Sequence, residues 1–184
     1  MPGDKPNSTS SRKKVVVNQI DGGVLKGYVD SISYLGERGA EILDRDGHLQ
    51  IIPLENIKGI YFVRDFEGDS GRQERKIFSS RPRLAGVWIR MIFKDNEVME
   101  GLMANDLLAV EPSGFLVTPP DYYSNNLRVF VPRTALEAVE VLGVISDESA
   151  RRTAQRTRRA VRKSPEESPQ IGLFPPAADE PPAK

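Results

Sequence analysis

Val15-Val16-Val17-Asn18-Gln19-Ile20-Asp21-Gly22-Gly23-Val24-Leu25-Lys26-Gly27 and, later in the chain, Ile89-Arg90-Met91-Ile92-Phe93-Lys94-Asp95-Asn96-Glu97-Val98-Met99-Glu100-Gly101 decide the fold. In each stretch an extended apolar run meets Asp-Gly or Asp-Asn, then two apolar residues, a charge and a glycine. Asp-Gly and Asp-Asn tolerate the positive φ that tight turns between strands require. Each stretch therefore predicts a β-hairpin, and the second reads as a repeat of the first.

The correspondence continues downstream in the same order. Gly39-Ala40-Glu41-Ile42-Leu43 resembles Gly114-Phe115-Leu116-Val117-Thr118. Ile52-Pro53-Leu54-Glu55-Asn56-Ile57-Lys58-Gly59-Ile60 matches Val131-Pro132-Arg133-Thr134-Ala135-Leu136-Glu137-Ala138-Val139. Proline lacks a backbone donor, so it belongs at a strand end or edge. Apolar residues four and seven positions after each Pro suggest a helical turn leading into a last strand. Several short strands at close spacing, punctuated by turns, argue for a small barrel or sandwich. The reading is all-β, with two tandem small barrels between disordered tails.

The boundaries follow from composition. Residues 1–14 read as a disordered tail, 15–63 as the first repeat and 64–86 as a polar linker containing Gly68, Gly71, Pro82 and Gly86. Residues 87–143 form the second repeat. Residues 144–163 are a basic segment, helical or disordered, with Ser146 as a plausible cap and almost no apolar stripe. Residues 164–184 hold six prolines and read as a disordered tail.

Charge is unevenly spread although the whole chain is neutral. Residues 15–143 carry 14 Lys+Arg against 19 Asp+Glu, a net −5, while residues 144–163 carry seven basic residues against two acidic, a net +5. Attraction to nucleic acid would therefore run through the arm more than the body. The chain has no cysteine, which removes disulfides, thiolate nucleophiles and cysteine metal sites and suits a reducing compartment. No apolar run resembles a secretory signal or a membrane span, so a cytoplasmic location without membrane insertion is expected.

No constellation of catalytic residues is visible. The chain's one histidine, His48, follows Asp46-Gly47 and is expected exposed at a hairpin end rather than catalytic or metal-bound. There is no P-loop, dinucleotide fingerprint or nucleophile elbow, so no enzyme activity and no cofactor are expected. Candidate anion or nucleic-acid contacts are Arg72, Arg75, Lys76, Arg81 and Arg83 in the linker and Arg151, Arg152, Arg156, Arg158, Arg159 and Arg162 in the arm. Asp65, Glu67, Asp69 and Glu74 lie close enough in sequence to neutralise the linker set, and a solvated, self-paired loop is the favoured reading of it. Tyr122, Tyr123 and Arg128 are candidate partner contacts, with one of the two tyrosines expected in the core. Trp88 is expected to pack between the repeats or against the linker.

The two repeats resemble the Sm-like and SH3-like small barrels. The Asp21-Gly22 to Gly27 and Asp95-Asn96 to Gly101 spacings are similar to the first Sm hairpin, and Ile52-Pro53 through Ile60 and Val131-Pro132 through Val139 to the closing strands. The core also resembles an uncharacterised bacterial family with this duplicated pattern, in phrases such as Phe62-Val63-Arg64-Asp65-Phe66-Glu67-Gly68 and Ser124-Asn125-Asn126-Leu127-Arg128-Val129-Phe130-Val131. The RNA-contact residues of Sm proteins are not matched at Tyr34-Leu35-Gly36-Glu37-Arg38-Gly39 and Asn56-Ile57-Lys58-Gly59, or at Val110-Glu111-Pro112-Ser113 and Ala135-Leu136-Glu137-Ala138, so the resemblance implies a fold more than a function. The expected role is a non-catalytic binding or scaffolding module acting through protein–protein contacts, with a protein partner or self-association through edge strands. The alternative is RNA or DNA binding through the basic arm and the linker arginines.

Overall fold

Residues 12–68, 74–106, 108, 110–121 and 123–146 are described by a computed structural model. Eleven strands follow one another: β1 (Arg12–Gln19), β2 (Val24–Asp30), β3 (Leu35–Gly36), β4 (Gly39–Asp44), β5 (Leu49–Ile52), β6 (Ile57–Val63), β7 (Gly86–Phe93), β8 (Val98–Met103), β9 (Gly114–Thr118), β10 (Asn126–Pro132) and β11 (Leu136–Ile145). Strand side chains alternate between faces. In β1 this buries Val15 and Val17, and in β7 it buries Val87, Ile89, Met91 and Phe93. Among the described residues no helix is long and apolar enough to cross a membrane.

Both hairpins close on the expected turns. Gly22 adopts φ 91° and Asn96 adopts φ 65°, so Asp-Gly and Asp-Asn supply the left-handed residue as their chemistry suggests. The turns share their hydrogen bonds. Gln19 N–H donates to Gly23 O at 2.8 Å, and Phe93 N–H donates to Glu97 O at 2.8 Å. Asp21 Oδ1 accepts from Gly23 N–H at 2.9 Å, and Asp95 Oδ1 accepts from Glu97 N–H at 3.1 Å. Each turn is also pinned to the far end of its half, Ile20 N–H to Asn56 O at 3.0 Å and Lys94 N–H to Ala135 O at 3.1 Å.

The helical turn expected after each proline is present in both places. A 3₁₀ turn spans Leu54–Asn56 after Pro53, and another spans Arg133–Ala135 after Pro132. Two glycine positions in each half mark close crossings of neighbouring strands. A Cβ on Gly39 would meet Ile52 O, and one on Gly114 would lie 2.5 Å from Val131 O. A Cβ on Gly27 would lie 2.5 Å from Leu43 O, and one on Gly101 would lie 2.7 Å from Val117 Cβ.

The pairing departs from two separate closed barrels. Within the first half β1 pairs with β2 and β6, β2 with β4, and β4 with β3 and β5. Within the second half β7 pairs with β8 and β11, β8 with β9, and β9 with β10. The penultimate and last strands of neither half, β5 and β6 or β10 and β11, bond to each other. Between them the chain runs through Pro and the 3₁₀ turn, which swings the last strand across to β1 or β7. The outer edge of β6 is taken by β10 of the other half, in the register Phe130↔Ile60, Val129↔Tyr61, Arg128↔Phe62 and Asn126↔Val63. One open antiparallel sheet of eleven strands results.

The apolar residues gather in two clusters, one per half, and each borrows from the other. The first holds Val15, Val17, Val29, Ala40, Ile42, Ile52, Ile57 and Ile60, together with Phe130 from β10. The second centres on Ile89, Met91, Phe93, Met99, Val117, Val129 and Val131, with Tyr61 of β6 packed against it. The junction extends past the strands. Arg64 N–H donates to Asn125 O at 3.0 Å, Asp65 N–H to Asn125 Oδ1 at 2.9 Å, and Asn125 Nδ2 donates to Asp65 O at 2.7 Å. The two sequence phrases quoted for the family resemblance thus face each other across the seam.

Candidate functional site

An open sheet leaves strand edges whose backbone donors and acceptors have no partner strand. Among the described residues β11 bonds only to β7, while β5 and the two-residue β3 bond only to β4. Exposed apolar side chains stand on β5 and β11: Leu49 on β5 is 61% exposed, and Val141 on β11 is 65% exposed. Val144 on β11 is also exposed. The charges Glu137 and Glu140 stand exposed on β11, and bulges interrupt its pairing with β7 between Leu136 and Ala138 and between Val141 and Gly143. Such features restrain indiscriminate edge pairing.

A groove of about 420 Å³ opens over the β6–β10 seam. Tyr34, Phe62, Leu116 and Leu127 give it an apolar lining, and Lys13 and Arg128 contribute cations. Tyr34 packs edge-on against Phe62 and Phe130, with ring centroids 5.4 and 5.9 Å apart. Its hydroxyl is pushed up to about 12, chiefly by burial and secondarily by the charge of Glu111, against the opposing pull of Arg128. Arg128 therefore sits beside an apolar surface, while Tyr123 is exposed in the β9–β10 connection. Tyr122 lies outside the described residues.

A second cavity, of about 360 Å³, is lined by Lys58, Tyr61, Glu74, Arg75, Lys76, Glu97 and Asn126 among others. Its charges are largely matched. Lys58 donates to Asp95 and, at 2.7 Å, to Glu97, and Lys76 pairs with Glu97 at 2.9 Å. Burial pulls Lys58 down, but the hydrogen bonds and charges of Asp95 and Glu97 outweigh it and leave its pKa raised. Burial likewise pushes Glu97 up, and the two lysines outweigh it, so its pKa is lowered. The Lys58 hydrogen bond comes first in lowering Asp95. Asn126 Nδ2 donates to Glu74 on the same wall.

The linker cations are dispersed. Arg75 and Lys76 line this cavity, whereas Arg81 and Arg83 stand exposed further along the connection. Arg72 lies outside the described residues, as do Arg151, Arg152, Arg156, Arg158, Arg159 and Arg162. His48 is exposed beside Asp44, with Nδ1 3.6 Å from Oδ2, at the turn where Gly47 takes φ 90°. Among the described residues no group of three or more His, Cys, Asp or Glu is placed to hold a metal ion.

One residue that the sequence reading did not single out organises the linker. Glu100 is 1% exposed. Its Oε2 accepts from Trp88 Nε1 and from Phe78 N–H, each at 3.1 Å. Its Oε1 accepts from Arg90 Nη2 at 2.9 Å and Nε at 3.2 Å. Glu100 N–H donates to Lys76 O at 2.7 Å, so the linker lies against β8. Phe78 and Trp88 meet edge-on at 6.0 Å, placing Trp88 against the linker as one of its two expected positions. Counting outward from the Asp95-Asn96 turn sets Arg90 opposite Glu100, which was the available signal.

These features define an all-β protein built as one open antiparallel sheet, with open edges at β5 and β11 that carry exposed apolar side chains and an apolar groove at its seam. The chain belongs to a family of unknown function (DUF6982), whose profile matches residues 11–143, from just before β1 to Gly143 in β11. No curated protein and no solved structure matches it.

Proposed function

We propose that the chain is a non-catalytic binding or scaffolding module that acts through protein–protein contacts at its open strand edges. The observation that carries this reading is the pair of edges, β5 and β11, each bearing an exposed apolar side chain. Added strands satisfy the unused backbone groups, and side-chain pairs across the new ladder supply selectivity. The two halves are, in this reading, copies of one small Sm/SH3-like unit joined edge to edge. Supporting it are the shared turn hydrogen bonds, the 3₁₀ turn after each proline and the glycine crossings at equivalent places.

The test compares the wild-type full chain with a variant blocked at both edges, Leu49→Lys with Val141→Lys. Association with a defined protein, a second copy included, should occur at fixed stoichiometry, persist in high salt and be lost in the blocked variant. Binding instead to RNA or DNA, weakening steeply with salt and abolished by removing residues 144–184, would replace this reading with the nucleic-acid alternative. Protein association that the blocked variant retains in full would also overturn it.

A further inference from the structure

The β10–β6 seam is a head-to-tail contact: the penultimate strand of one half pairs with the last strand of the other. Besides the two-residue β3, the strands left on the outer edges are the penultimate strand of the first half, β5, and the last strand of the second, β11. They are the matching partners of the same contact. We propose that two copies of this chain associate head to tail, β5 of one copy pairing antiparallel with β11 of the next. The inference rests on the reading of the chain as an association module and names its partner.

The register can be transferred residue by residue. Phe130 stands two positions before Pro132, as Ile51 stands two before Pro53. Ile60 stands three positions after Ile57, the first residue beyond the 3₁₀ turn, and Val139 stands three after Leu136. The bonded pair Phe130↔Ile60 therefore becomes Ile51↔Val139 between copies. Val129↔Tyr61 becomes Gln50↔Glu140, and Arg128↔Phe62 becomes Leu49↔Val141.

Two independent features fit this register. First, it sets Leu49 directly opposite Val141, and these are exposed apolar residues, 61% and 65%, on β5 and β11. Opposite residues share a face and touch, so the pair would cover both. Second, the first bulge in β11 does not bar the contact, and the second, between Val141 and Gly143, begins only at the last of these pairs. The pairing of β6 with β1 steps from Gln19↔Ile57 to Asn18↔Gly59, skipping Lys58, and that of β11 with β7 steps from Phe93↔Leu136 to Ile92↔Ala138, skipping Glu137. Strand β6 carries this irregularity and still accepts β10 beyond it.

A head-to-tail contact uses different surfaces on the two copies, so each copy retains one unused edge after pairing. Repetition then gives a ring if the rotation closes and a filament if it does not. This property supplies the test. Sedimentation of the wild-type full chain should show concentration-dependent association. Leu49→Glu and Val141→Glu should each weaken it roughly tenfold or more, since either places a charge in an apolar pair. An equal mixture of the two variants should form a one-to-one dimer and go no further. The intact β11 of the Leu49→Glu chain meets the intact β5 of the Val141→Glu chain, and the remaining edges are both blocked.

The mixture also checks folding, because a misfolded variant would rescue nothing, and circular dichroism of each variant confirms the sheet. A wild-type chain that stays monomeric at every concentration overturns the head-to-tail contact. So does a Leu49→Glu chain that assembles like wild type while Val141→Glu does not, which points to β11 pairing with itself. Either result leaves the broader binding reading to the blocked-edge comparison, which fails separately.

Discussion

Replacing Glu100 with alanine should loosen the linker and destabilise the whole sheet by about 3 kcal/mol. The figure follows from what the carboxylate holds. Glu100→Ala leaves the Trp88 indole N–H and the Phe78 backbone N–H without their acceptor. A buried donor stripped of its partner costs about 1–3 kcal/mol. Arg90 adds little, because it is 39% exposed and keeps Glu140 at 3.6 Å. Water entering the vacated space offsets part of the sum, so about 3 kcal/mol is the expected net, equivalent to a fall in Tm of about 10 °C for a body of this size. Glu100→Gln keeps the volume and one acceptor oxygen, and should cost about half as much. Urea unfolding followed by tryptophan fluorescence is the direct assay, because the chain has a single tryptophan, Trp88, whose ring nitrogen donates to Glu100. The native emission should also shift to the red as Phe78 lifts from the indole. A loss below about 1 kcal/mol with unchanged native emission would refute the reasoning, because that is within the effect of an ordinary surface change.

The crossing glycines should separate by what their Cβ would strike. Gly39→Ala is expected to be the most damaging, since Gly39 combines φ 135° with backbone contact at Ile52 O. Gly27→Ala meets the Leu43 backbone and should follow, at about 2–3 kcal/mol, while Gly101→Ala meets only the Val117 side chain and should cost about 1–2 kcal/mol. Chemical denaturation that ranks Gly101→Ala above Gly39→Ala would contradict the crossings. The Lys58 cluster predicts a pH signature. Asp95 and Glu97 have lowered pKa values, so their contribution is present above the ordinary carboxylate range and fades as pH falls through the lowered values. Lys58 has a raised value, so its share is present below the ordinary lysine range and fades as pH rises through the raised one. The stability gap between wild type and Lys58→Met should be widest near neutrality and narrow below about pH 4, measured by thermal melts. A gap that grows with acid would reverse the sign and refute it.

Local chemistry made part of this molecule legible in the sequence. The turns at Gly22 and Asn96, the ends of β5 and β10 at proline and the helical turns that follow all depend on a few adjacent residues. Their φ preferences and missing donors are properties of residue type. The extended apolar runs that become β1 and β7 were readable for the same reason. The choice of partner for the outer edge of β6 was not. Val129 and Phe130 carry no mark directing them to Tyr61 and Ile60 rather than to the last strand of their own half, because backbone ladders are alike everywhere. Hence two barrels were expected where one sheet runs through. At the candidate site, Leu49 and Val141 read simply as strand residues, since exposure depends on which neighbours arrive. Arg128 was identifiable as a contact residue, but the groove beside it is formed by Tyr34, Phe62 and Leu116 from distant parts of the chain.

The burial of Phe130 in the first cluster has a consequence for the order of events during synthesis. When Val63 leaves the ribosome, the first half possesses all its own strands, yet the space for Phe130 and the outer edge of β6 are still empty. About 70 residues separate the two, which at 5–20 residues per second is roughly 4–14 s of translation. Throughout that interval the nascent first half exposes an apolar slot beside an unpaired strand, the two features that any chaperone or neighbouring nascent chain would recognise. The arrival of β10 ends that exposure and commits the second half to its place in the same stroke.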